Sequence, residues 1–395
     1  MRTVVTGGGA AGFFLAVNLK EMLPGMDVTI VERSSRLLSK VALSGGGRCN
    51  CTNTFGGVKD LQGVYPRGHR LMKRLFRTFG PREACEWFEA HGVALTAEDG
   101  GRIFPASQDA QTVVRCLHDT AQRLGVTIVT GAEVKDLDEL ADYDFKCVTT
   151  GGQPRREGLL WLERAGHAIE EPVPSLFTLS VPDEALHALM GTAVSNAVVQ
   201  LPGTRLRAGG DLLVTHWGLS GPAVLRLSSY AARHLAECGY HTPLAVNWTG
   251  RNDAEALAAL LDLARQHQQK RLASLPPLSL PQRLWTCLLQ RAGADTEQRW
   301  ADVGKKQMNR LVNTLCNDTY TVSGRAPFKD EFVTCGGVSL TSVNPNTLES
   351  RVVPSLYFAG EVLDVDGVTG GFNFQAAWTT AYTVAAAINA KTKET

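Results

Sequence analysis

The sequence has no uncharged apolar run approaching the roughly 18 residues that a membrane-spanning helix needs, so we expect no membrane anchor. Its N-terminus leads directly into a glycine-rich turn instead of the apolar core of a secretory signal, and we therefore expect a cytoplasmic protein. The 40 Lys and Arg residues nearly balance 39 Asp and Glu residues. No overall field attracts the molecule to a nucleic acid or a membrane, so any such partner must use a local patch.

The nine cysteines lack the spacings that bind metal or mark a disulfide framework. Their number is odd, they are scattered over 395 residues, and the pattern Cys-x-x-Cys is absent. We expect reduced thiols and no bound metal. The pattern Gly-x-Ser-x-Gly is also absent, which excludes the nucleophile elbow of α/β-hydrolases.

Glycine is the residue in excess, with 39 copies, and the first cluster follows a short β-branched strand over residues 2–6. In the pattern GxGxxG, Gly7 permits the turn, Gly9 lets backbone N–H groups approach a pyrophosphate, and Gly12 allows close packing of helix and strand. An apolar stretch at helical spacing follows, broken at residues 24–25. These features predict a strand, a tight turn and a helix.

A second strand over residues 28–31 ends at Glu32, twenty residues after Gly12. An acid at this spacing accepts hydrogen bonds from ribose hydroxyls in dinucleotide-binding domains. The βαβ unit therefore predicts a dinucleotide site, and the alternative is a glycine-rich turn with no ligand. FAD and NAD share this pattern, so it does not choose between them.

Two further glycine-rich segments favour a flavin. Residues 39–53 contain three adjacent glycines followed by Arg, Asn and Thr, which predicts a loop of donors suited to a phosphate-ribityl chain or a ring edge. Near the C-terminus, a strand over residues 355–359 leads to Gly360 and a glycine-rich turn, and a helix is predicted over residues 376–389. The positive end of such a helix suits the N1/O2 edge of a reduced flavin.

Five motifs occur in the order GGGAAG, SGGGRCNCTN, TTGG, THWGLSGP and FAGEVLDVDGVTGGFNFQAAW. In this order and spacing, the chain resembles the FAD flavoprotein family described as YhiN-like, BaiN-like or aminoacetone-oxidase-like. The resemblance covers essentially the whole chain. One departure is local: family members often have Lys-Leu two residues after an Arg where this chain has Ser39-Lys40-Val41. The role of Lys40 is therefore left open.

The fold class expected is α/β, with a Rossmann-like FAD-binding domain made from both chain ends, an inserted antiparallel β domain and a small helical subdomain. Short strands predicted near residues 177–181, 197–201, 204–206 and 211–215 indicate the β insertion, and residues 252–316 have a helical pattern. Further strands are predicted near residues 320–322 and 331–333. The predicted domains are residues 1–173 with 335–395, residues 174–251 with 317–334, and residues 252–316.

The motifs and the resemblance together give the residues expected to bind the cofactor. They are Gly7, Gly9, Ala10, Ala11, Gly12, Glu32, Arg33, Lys40, Ser44, Gly45, Gly46, Gly47, Arg48, Asn50, Asn53, Val134, Thr150, Gly151, Gly360, Glu361, Gly371, Phe372, Asn373 and Gln375.

Two residues are candidates for proton transfer. Cys49 lies in the matching loop and is either a proton donor or a small packing residue. A redox pair with Cys51 is disfavoured, because alternation along an extended segment points the two thiols to opposite faces. His216 follows a predicted strand, and it is either a general acid that faces the substrate or a turn histidine bonded to backbone.

The resemblance implies hydride transfer at flavin N5. Family members reduce an activated C=C bond in a steroid-like ring, oxidise small amino-ketones with oxygen, or reduce a uridine of ribosomal RNA. We expect a reductase of an activated C=C bond in a small enone or an RNA uridine, and the alternatives are an amino-ketone oxidase and a non-catalytic flavin-containing RNA-binding factor. No second GxGxxG follows a strand. NADH or NADPH is therefore expected as a transiently bound donor.

One segment has the charge pattern that an RNA substrate would need. Arg70, Lys73, Arg74 and Arg77 recur at i, i+3, i+4 and i+7, so they form one stripe on a helix with Arg67 nearby. Such a stripe either follows phosphates or is an ordinary solvated face. Five cations of the helical insertion extend the stripe if they lie on the same side: Lys270, Arg271, Lys305, Lys306 and Arg310.

Overall fold

The computed structural model describes residues 1–326 and 333–394. In chain order the strands are β1 (Arg2–Thr6), β2 (Asp27–Glu32), β3 (Thr52–Asn53), β4 (Leu95–Ala97), β5 (Arg102–Pro105), β6 (Thr127–Thr130), β7 (Phe145–Val148), β8 (Ile169–Ser175), β9 (Leu179–Ser180), β10 (Ala193–Gln200), β11 (Arg207–Val214), β12 (Gly218–Ser220), β13 (Thr242–Asn247), β14 (Asp318–Val322), β15 (Gly324–Arg325), β16 (Val333–Val338) and β17 (Leu356–Phe358).

In the same order the helices are α1 (Ala10–Met22), α2 (Ser39–Gly47), α3 (His69–Leu75), α4 (Pro81–Ala90), α5 (Ala110–Arg123), α6 (Leu160–Arg164), α7 (Glu184–His187), α8 (Pro222–Tyr230), α9 (Ala232–Glu237), α10 (Asp253–Gln266), α11 (Gln282–Arg291), α12 (Lys305–Cys316) and α13 (Phe372–Glu394).

The chain divides into two compact units. The first consists of Met1–Pro174 and Val333–Thr395, and the second of Ser175–Phe332. The helices predicted over residues 252–316 belong to the second unit. The division into three domains stays a prediction. Of the strand expected over residues 331–333, only Val333 lies within the described residues, where it begins β16.

The first unit is organised around a parallel sheet in the order β17-β7-β1-β2-β6. Each neighbouring pair runs parallel, with Val5 opposite Ile30 on one side and opposite Cys147 on the other. The strands are short and β-branched, as expected for strands buried on both faces. A smaller antiparallel sheet has the order β3-β5-β4, and β8 pairs with β16.

Helix α1 is buried along most of its length because it packs against the sheet and against α13. The ring of Phe14 lies 5.1 Å from the Trp378 ring and 4.4 Å from the Trp87 ring, centroid to centroid. Burying aromatic side chains of this size contributes several kcal/mol of hydrophobic stabilisation, on the order of 1.5–3 kcal/mol for each. The two ends of the chain are thereby joined in one core.

The second unit contains an antiparallel sheet in the order β14-β13-β10-β11-β12-β9-β15. Its core combines the inner face of this sheet with α8, α10, α11 and α12, and it includes Trp248 and the stacked pair Trp285 and Trp300. The predicted strand at residues 204–206 is wrong. The Thr204 side chain there donates to Leu201 O and accepts from Leu206 N, so the segment turns before β11 begins.

The fold class is confirmed: a parallel sheet covered by helices and a separate antiparallel sheet form an α/β protein. Two local predictions need correction. Of the residues expected as a loop, residues 39–43 form the helical part of α2, and the backbone leaves right-handed helical geometry from Ser44 to Gly47. Helix α13 begins at Phe372, four residues before the predicted start. Over the described residues, no helix is long and apolar enough to cross a membrane.

Candidate functional site

The turn between β1 and α1 is tightly packed at two glycines and open at the third. A Cβ atom added at Gly7, where φ is +113°, would lie 2.4 Å from Thr149 O, and one at Gly12 would lie 2.0 Å from Gly7 O. At Gly9, no atom of the described residues other than its own chain neighbours lies within 4 Å of that position. Gly7 and Gly12 are therefore required for packing, whereas Gly9 faces open space.

Gly9 is also the N-cap of α1, and among the described residues no side chain caps this helix end. The first turn, which begins at Ala10 and Ala11, therefore keeps backbone N–H groups for an external acceptor. The helix dipole adds partial positive charge at the same place. Open space and positive potential coincide, and this combination suits a phosphate group.

The carboxylate of Glu32 lies beside this turn, at the end of β2. Its Oε2 accepts a hydrogen bond from Gly8 N at 2.7 Å, and its Oε1 accepts one from Ser34 N at 2.8 Å. The next residue, Arg33, is exposed and lies 4.0 Å from Glu133. Val134 is half-buried and follows β6, the neighbour of β2. The sheet thus brings Glu32, Arg33 and Val134 to one edge.

Three consecutive glycines end α2 in left-handed geometry. The φ angles of Gly45, Gly46 and Gly47 are +58°, +69° and +84°, so side chains at these positions would be strained. All three are exposed, and no described atom lies within 4 Å of a Cβ added at Gly46 or Gly47. Ser44 begins this segment and donates from its Oγ to Val41 O at 3.0 Å. The backbone of the predicted glycine segment is therefore exposed to solvent.

Arg48 is engaged by protein groups immediately after the glycines. Its guanidinium lies 4.2 Å from the centre of the Phe104 ring and donates to Glu98 and Gln108, both at 2.9 Å. These contacts tie the segment to the region around β5.

Cys49 and Cys51 are both fully buried. Burial raises the pKa of the Cys49 thiol to about 12 and holds the pKa of Cys51 well above its usual range. Both side chains are therefore thiols, not thiolates, at neutral pH. The nine cysteines all lie in the described residues, and none of them forms a disulfide.

The side chains of residues 50–53 connect this segment to the start of α13. The Asn50 amide accepts from Gly371 N at 3.0 Å when its carbonyl is oriented toward that group. Asn53 Nδ2 donates to Gly370 O at 2.9 Å, across 317 residues of sequence. Thr52 Oγ1 donates to Gln375 Oε1 at 2.5 Å. The Asn53 and Gln375 side chains, predicted for cofactor binding, thus connect β3 to α13 and to the turn before it.

The turn before α13 is closed by its own residues. Gly371 has a φ of +89°, and a Cβ there would lie 2.2 Å from Thr52 O. Asn373 bonds both the N–H and the carbonyl of Gly367, at 2.7 and 2.8 Å. Phe372 is buried, and its carbonyl accepts from Tyr65 Oη at 2.7 Å. The turn is therefore rigid before any ligand binds.

Glu361 connects three segments of the first unit. Its Oε2 lies 2.6 Å from Lys40 Nζ, across 321 residues, and its Oε1 accepts from Thr334 N at 2.9 Å. Gly360 approaches α1 so closely that a Cβ there would lie 2.8 Å from Ala11 Cβ. Lys40, whose role the sequence leaves open, has Glu361 as its ion-pair partner.

The predicted residues gather where parallel strands end. Gly7 follows β1, Glu32 ends β2, Thr150 and Gly151 come just after β7, and Gly360 comes after β17. The carboxyl ends of parallel strands lie along one edge of a sheet, and ligands of doubly wound folds bind there. The structure therefore brings most of the predicted cofactor residues to one region of the first unit.

Helix α3 presents cations beside this region. From Asp60 to Glu83 the chain has six Lys or Arg residues and no acid between. Arg70, Lys73 and Arg77 are exposed, and among the described residues none has a carboxylate partner. Arg74 is exposed and donates to Asn346 Oδ1 at 2.8 Å. Arg70, Lys73 and Arg74 lie on α3, but the helix ends at Leu75, and Arg77 lies in the turn beyond it instead of on the predicted helical stripe. All four cations are exposed and have no carboxylate partner among the described residues.

The basic segment is anchored by Arg67, whose guanidinium makes two hydrogen bonds to the carboxylate of Asp366. Asp366 is fully buried, in the stretch that precedes α13. Helix α3 also packs against α13. The basic stripe and the start of α13 are thus parts of one local structure.

His216 belongs to the second unit, whereas Cys49 and all predicted cofactor residues belong to the first. It is exposed in the turn between β11 and β12, and its ring centre lies 4.7 Å from that of Trp217. Of the five cations predicted on the helical insertion, all are exposed, and Arg271 pairs with Glu297.

Several residues that position the site were missed from the sequence. Thr149 Oγ1 donates to Thr6 O and Gly7 O, both at 3.0 Å, and so holds the glycine turn. Thr380 Oγ1 accepts from Gly360 N at 2.9 Å. Asp366 lies within a recognised motif, but its partner Arg67 is 299 residues away. Only the motif itself offered a signal for Thr149 and Asp366. No cluster of three or more potential metal ligands occurs in the described part of the chain.

Known proteins resemble this chain over its whole length. A family model described as HI0933-like protein Rossmann domain matches residues 1–387. The chain is 30% identical over 406 residues to a ribosomal RNA dihydrouridine synthase of Escherichia coli (strain K12), covering 97% of this chain and 96% of that protein. It is 28% identical over 406 residues to a 3-dehydro-bile acid delta(4,6)-reductase of Clostridium scindens, covering 96% and 97%.

Solved structures of low sequence identity also align. The 3-ketosteroid delta1-dehydrogenase from Sterolibacterium denitrificans, in complex with 1,4-androstadiene-3,17-dione, is 12% identical, with a TM-score of 0.48 and coverage of 98% of this chain and 99% of that chain.

Proposed function

Since the chain belongs to the HI0933-like family of Rossmann-domain proteins, a family of FAD-dependent oxidoreductases, we propose that it reduces a carbon–carbon double bond conjugated to a carbonyl group. The family match confirms the resemblance inferred from the motifs. The proposed substrate is a uridine in RNA, which would become dihydrouridine. A small enone is the second candidate.

The two named relatives support a shared chemistry. One is named for a bile acid with double bonds near a 3-oxo group, and the other for dihydrouridine in ribosomal RNA. In the enone and in the uracil ring, a hydride adds to the carbon β to a carbonyl and a proton adds to the α carbon. The substrate gains two hydrogens, and the double bond is lost. Bound FAD would supply the hydride at its N5 atom.

The described geometry fits an FAD molecule. The open space at Gly9 and the uncapped end of α1 suit the pyrophosphate, and Glu32 is placed for ribose hydroxyls. The exposed backbone of Gly45–Gly47 and the rigid turn at Gly371 would hold the ribityl chain and the ring edge. In this arrangement the side chains of Asn53, Asn373 and Gln375 support the loops, while the backbone contacts the cofactor.

The basic stripe of α3 is the single observation that favours RNA over a small enone. Arg70 occupies the first turn of the helix, where the dipole disfavours a cation, and it has no carboxylate partner among the described residues. Such uncompensated charge is unnecessary for a neutral small substrate. It suits the phosphates of a polynucleotide, whose neutralisation dominates affinity.

We assign the proton donor to His216. Its imidazole is exposed in the turn between β11 and β12, where a substrate can reach it, and imidazole is a common general acid in enzymes. Cys49 remains the second candidate. Its thiol is protonated, since burial raises its pKa to about 12, but it has no exposed surface. A role in packing accounts for that burial.

In this proposal, NADH or NADPH would supply the hydride that reduces the bound flavin. An oxidase of small amino-ketones would instead take hydride from its substrate and pass it to oxygen. The two mechanisms differ in what bleaches the flavin absorbance and in how quickly air restores it.

The decisive experiment combines absorbance with product analysis. Purified flavin-loaded protein is mixed without oxygen with NADH and then with NADPH, and the flavin absorbance is followed. The reduced protein then receives unmodified ribosomal RNA transcribed in vitro, and digested nucleosides are analysed by mass spectrometry. We expect rapid bleaching by one nucleotide, dihydrouridine in the RNA, and slow recovery in air.

The charge variant Arg70→Glu/Arg74→Glu should lose dihydrouridine formation while keeping its flavin and its bleaching by nucleotide. The matched control Arg123→Glu/Arg155→Glu carries the same charge change at exposed positions of the first unit. Reduction of a steroid enone with no dihydrouridine would overturn the RNA assignment. Bleaching only by aminoacetone, with fast recovery in air, would overturn the reductase itself.

A further inference from the structure

Helix α12 of the second unit carries an exposed stripe without acids. Lys306, Asn309, Arg310, Asn313 and Asn317 are exposed, and each lies three or four residues from another member of the set. Residues at these steps lie on one face of a helix. The stripe therefore consists of two cations and three amides, the last at the C-cap.

The cations of this helix have no compensating charge. No Asp or Glu occurs from Val303 to Asn317. Lys305, Lys306 and Arg310 have no ion-pair partner in the part of the chain that the structure describes. Both lysines lie in the first turn, where the positive helix end disfavours cations. The positive charge of these side chains therefore does not stabilise the helix.

The opposite face of α12 fixes the stripe in place. Met308, Leu311, Val312 and Leu315 are buried in the core of the second unit. The helix also packs against α10 and α11. A stripe on such a helix is a preformed surface, so a ligand loses little of its binding energy to ordering the protein.

A polar cavity of about 570 Å³ lies at the C-terminal end of the stripe. Asn317 belongs both to the stripe and to the lining of this cavity. The cavity's lining includes the exposed side chains of Arg207 and Arg251 and the amides of Gln200 and Asn247. The lining also includes two exposed carboxylates: Asp253 accepts from Asn317 Nδ2 at 3.5 Å, and Glu255 accepts from Asn252 N at 3.1 Å. The cavity is therefore mixed in charge, and the uncompensated cations are those of the stripe.

We infer that the stripe of α12 and this cavity form an RNA-binding surface, with backbone phosphates along Lys306 and Arg310 and a nucleotide of the same strand in the cavity. The inference rests on the proposed RNA substrate and adds a second binding surface, in a different unit from the basic stripe of α3. Amide side chains between the cations favour RNA over an acidic peptide, since they both donate to and accept from base edges.

The test measures binding and not turnover, so that it is separate from the reductase reaction. Oxidised, flavin-loaded protein is titrated into a labelled RNA hairpin with a uridine-rich loop, and fluorescence anisotropy is recorded between about 50 and about 200 mM salt. The variants are Lys306→Gln/Arg310→Gln on the stripe and Arg207→Gln/Arg251→Gln in the cavity. The control is Arg265→Gln/Arg271→Gln, which removes two exposed cations that are paired with Asp262 and Glu297.

We expect the stripe variant to bind roughly tenfold more weakly or worse and its salt slope to fall by about 1.5, because two phosphate contacts are lost. The cavity variant should also weaken binding, and the control should bind like the unmodified protein. Flavin content and melting temperature check that each variant folds.

Unchanged affinity and salt slope in the stripe variant, with RNA still bound, would overturn this surface and leave the RNA reductase standing. Displacement of the hairpin by a poly-glutamate peptide as readily as by unlabelled RNA would show a general anion surface and also overturn the RNA assignment. If the stripe variant loses binding while the unmodified protein forms no dihydrouridine, the surface stands and the proposed reaction fails.

Discussion

The buried carboxylate of Asp366 and the guanidinium of Arg67 form a two-point ion pair, although 299 residues separate them in the sequence. The pair connects the stretch before α13 to the residue that precedes the basic helix α3. Its carboxylate has no exposed surface, so its negative charge is held inside the protein beside this guanidinium. A buried pair of this kind is costly to break, since it leaves one charge uncompensated.

Replacing Arg67 with Met is therefore expected to lower the free energy of unfolding by about 3–5 kcal/mol. The double variant Arg67→Met/Asp366→Leu should recover a large part of that loss, because neither charge then remains in the interior. Urea unfolding of the two single variants and the double variant measures the coupling. Equal losses that simply add in the double variant would contradict the pairing.

The glycine turn after β1 offers a test that separates cofactor binding from folding. Gly9→Asp should abolish FAD retention, because a carboxylate would occupy the place of the pyrophosphate. Its stability should change by no more than about 0.5 kcal/mol, since Asp is a good N-cap and open space surrounds Gly9. Flavin content after gel filtration and urea unfolding give the two readings.

Two controls accompany that variant. Gly9→Ala should weaken flavin retention less than Gly9→Asp, because its methyl group takes space beside the pyrophosphate but adds no charge. Gly12→Ala should lose at least about 1–3 kcal/mol of stability because its Cβ meets Gly7 O. A fully yellow Gly9→Asp protein would refute the pyrophosphate assignment.

Stability should fall with acidification through His167. Burial lowers the pKa of this imidazole from 6.5, although the hydrogen bond to Leu162 O acts in the opposite direction. Below about pH 6.5 the unfolded chain binds a proton that the folded protein does not, so stability decreases until the pH reaches the folded pKa. Above that range the residue is neutral in both states and has no effect.

Urea midpoints measured from about pH 7.5 to about pH 5 should therefore fall more steeply for the unmodified protein than for His167→Gln. His167 also bonds Ser350 Oγ at 2.7 Å, so the variant is expected to be less stable at neutral pH as well. Identical pH slopes for the two proteins would exclude His167 as the cause.

In the Lys40–Glu361 pair, replacing Glu361 should cost more stability than replacing Lys40. Lys40→Ala removes an exposed cation and is expected to cost less than about 1 kcal/mol. Glu361→Ala also leaves the buried Thr334 N–H without its acceptor, and this should cost about 1–3 kcal/mol. Chemical denaturation of both variants, with flavin content measured alongside, checks the order. A larger loss for Lys40→Ala would contradict the assignment of Thr334 as the sensitive partner.

Much of the candidate site was predictable because its signals are local. The glycines of the first turn and the acid at Glu32 depend only on strand, turn and helix spacing, and the structure places them together. The strand prediction over residues 204–206 failed for a local reason too. Thr204 is β-branched, but its hydroxyl bonds nearby backbone and stabilises a turn.

Long-range contacts could not be predicted from the sequence. The motifs and the family resemblance made Asn53 and Gln375 candidates for cofactor binding, but the fold brings each to backbone or hydroxyl partners more than 300 residues away. Arg48 likewise meets Glu98 and Gln108 only because β3 pairs with β5. Such pairings follow from tertiary packing, which spacing rules do not contain.

The contribution of both chain ends to one sheet determines when each part of the protein can fold during synthesis. The second unit is one uninterrupted stretch, so it has all its strands once residue 332 has left the ribosome. The first unit lacks β17 and α13 until the last residues emerge, and the buried face of α1 has no covering helix before then. Domains fold as units on the growing chain. The C-terminal segment of the chain therefore completes the hydrophobic core that the N-terminal segment begins. A nascent chain truncated before α13 would leave the apolar surface of α1 exposed to chaperones and proteases.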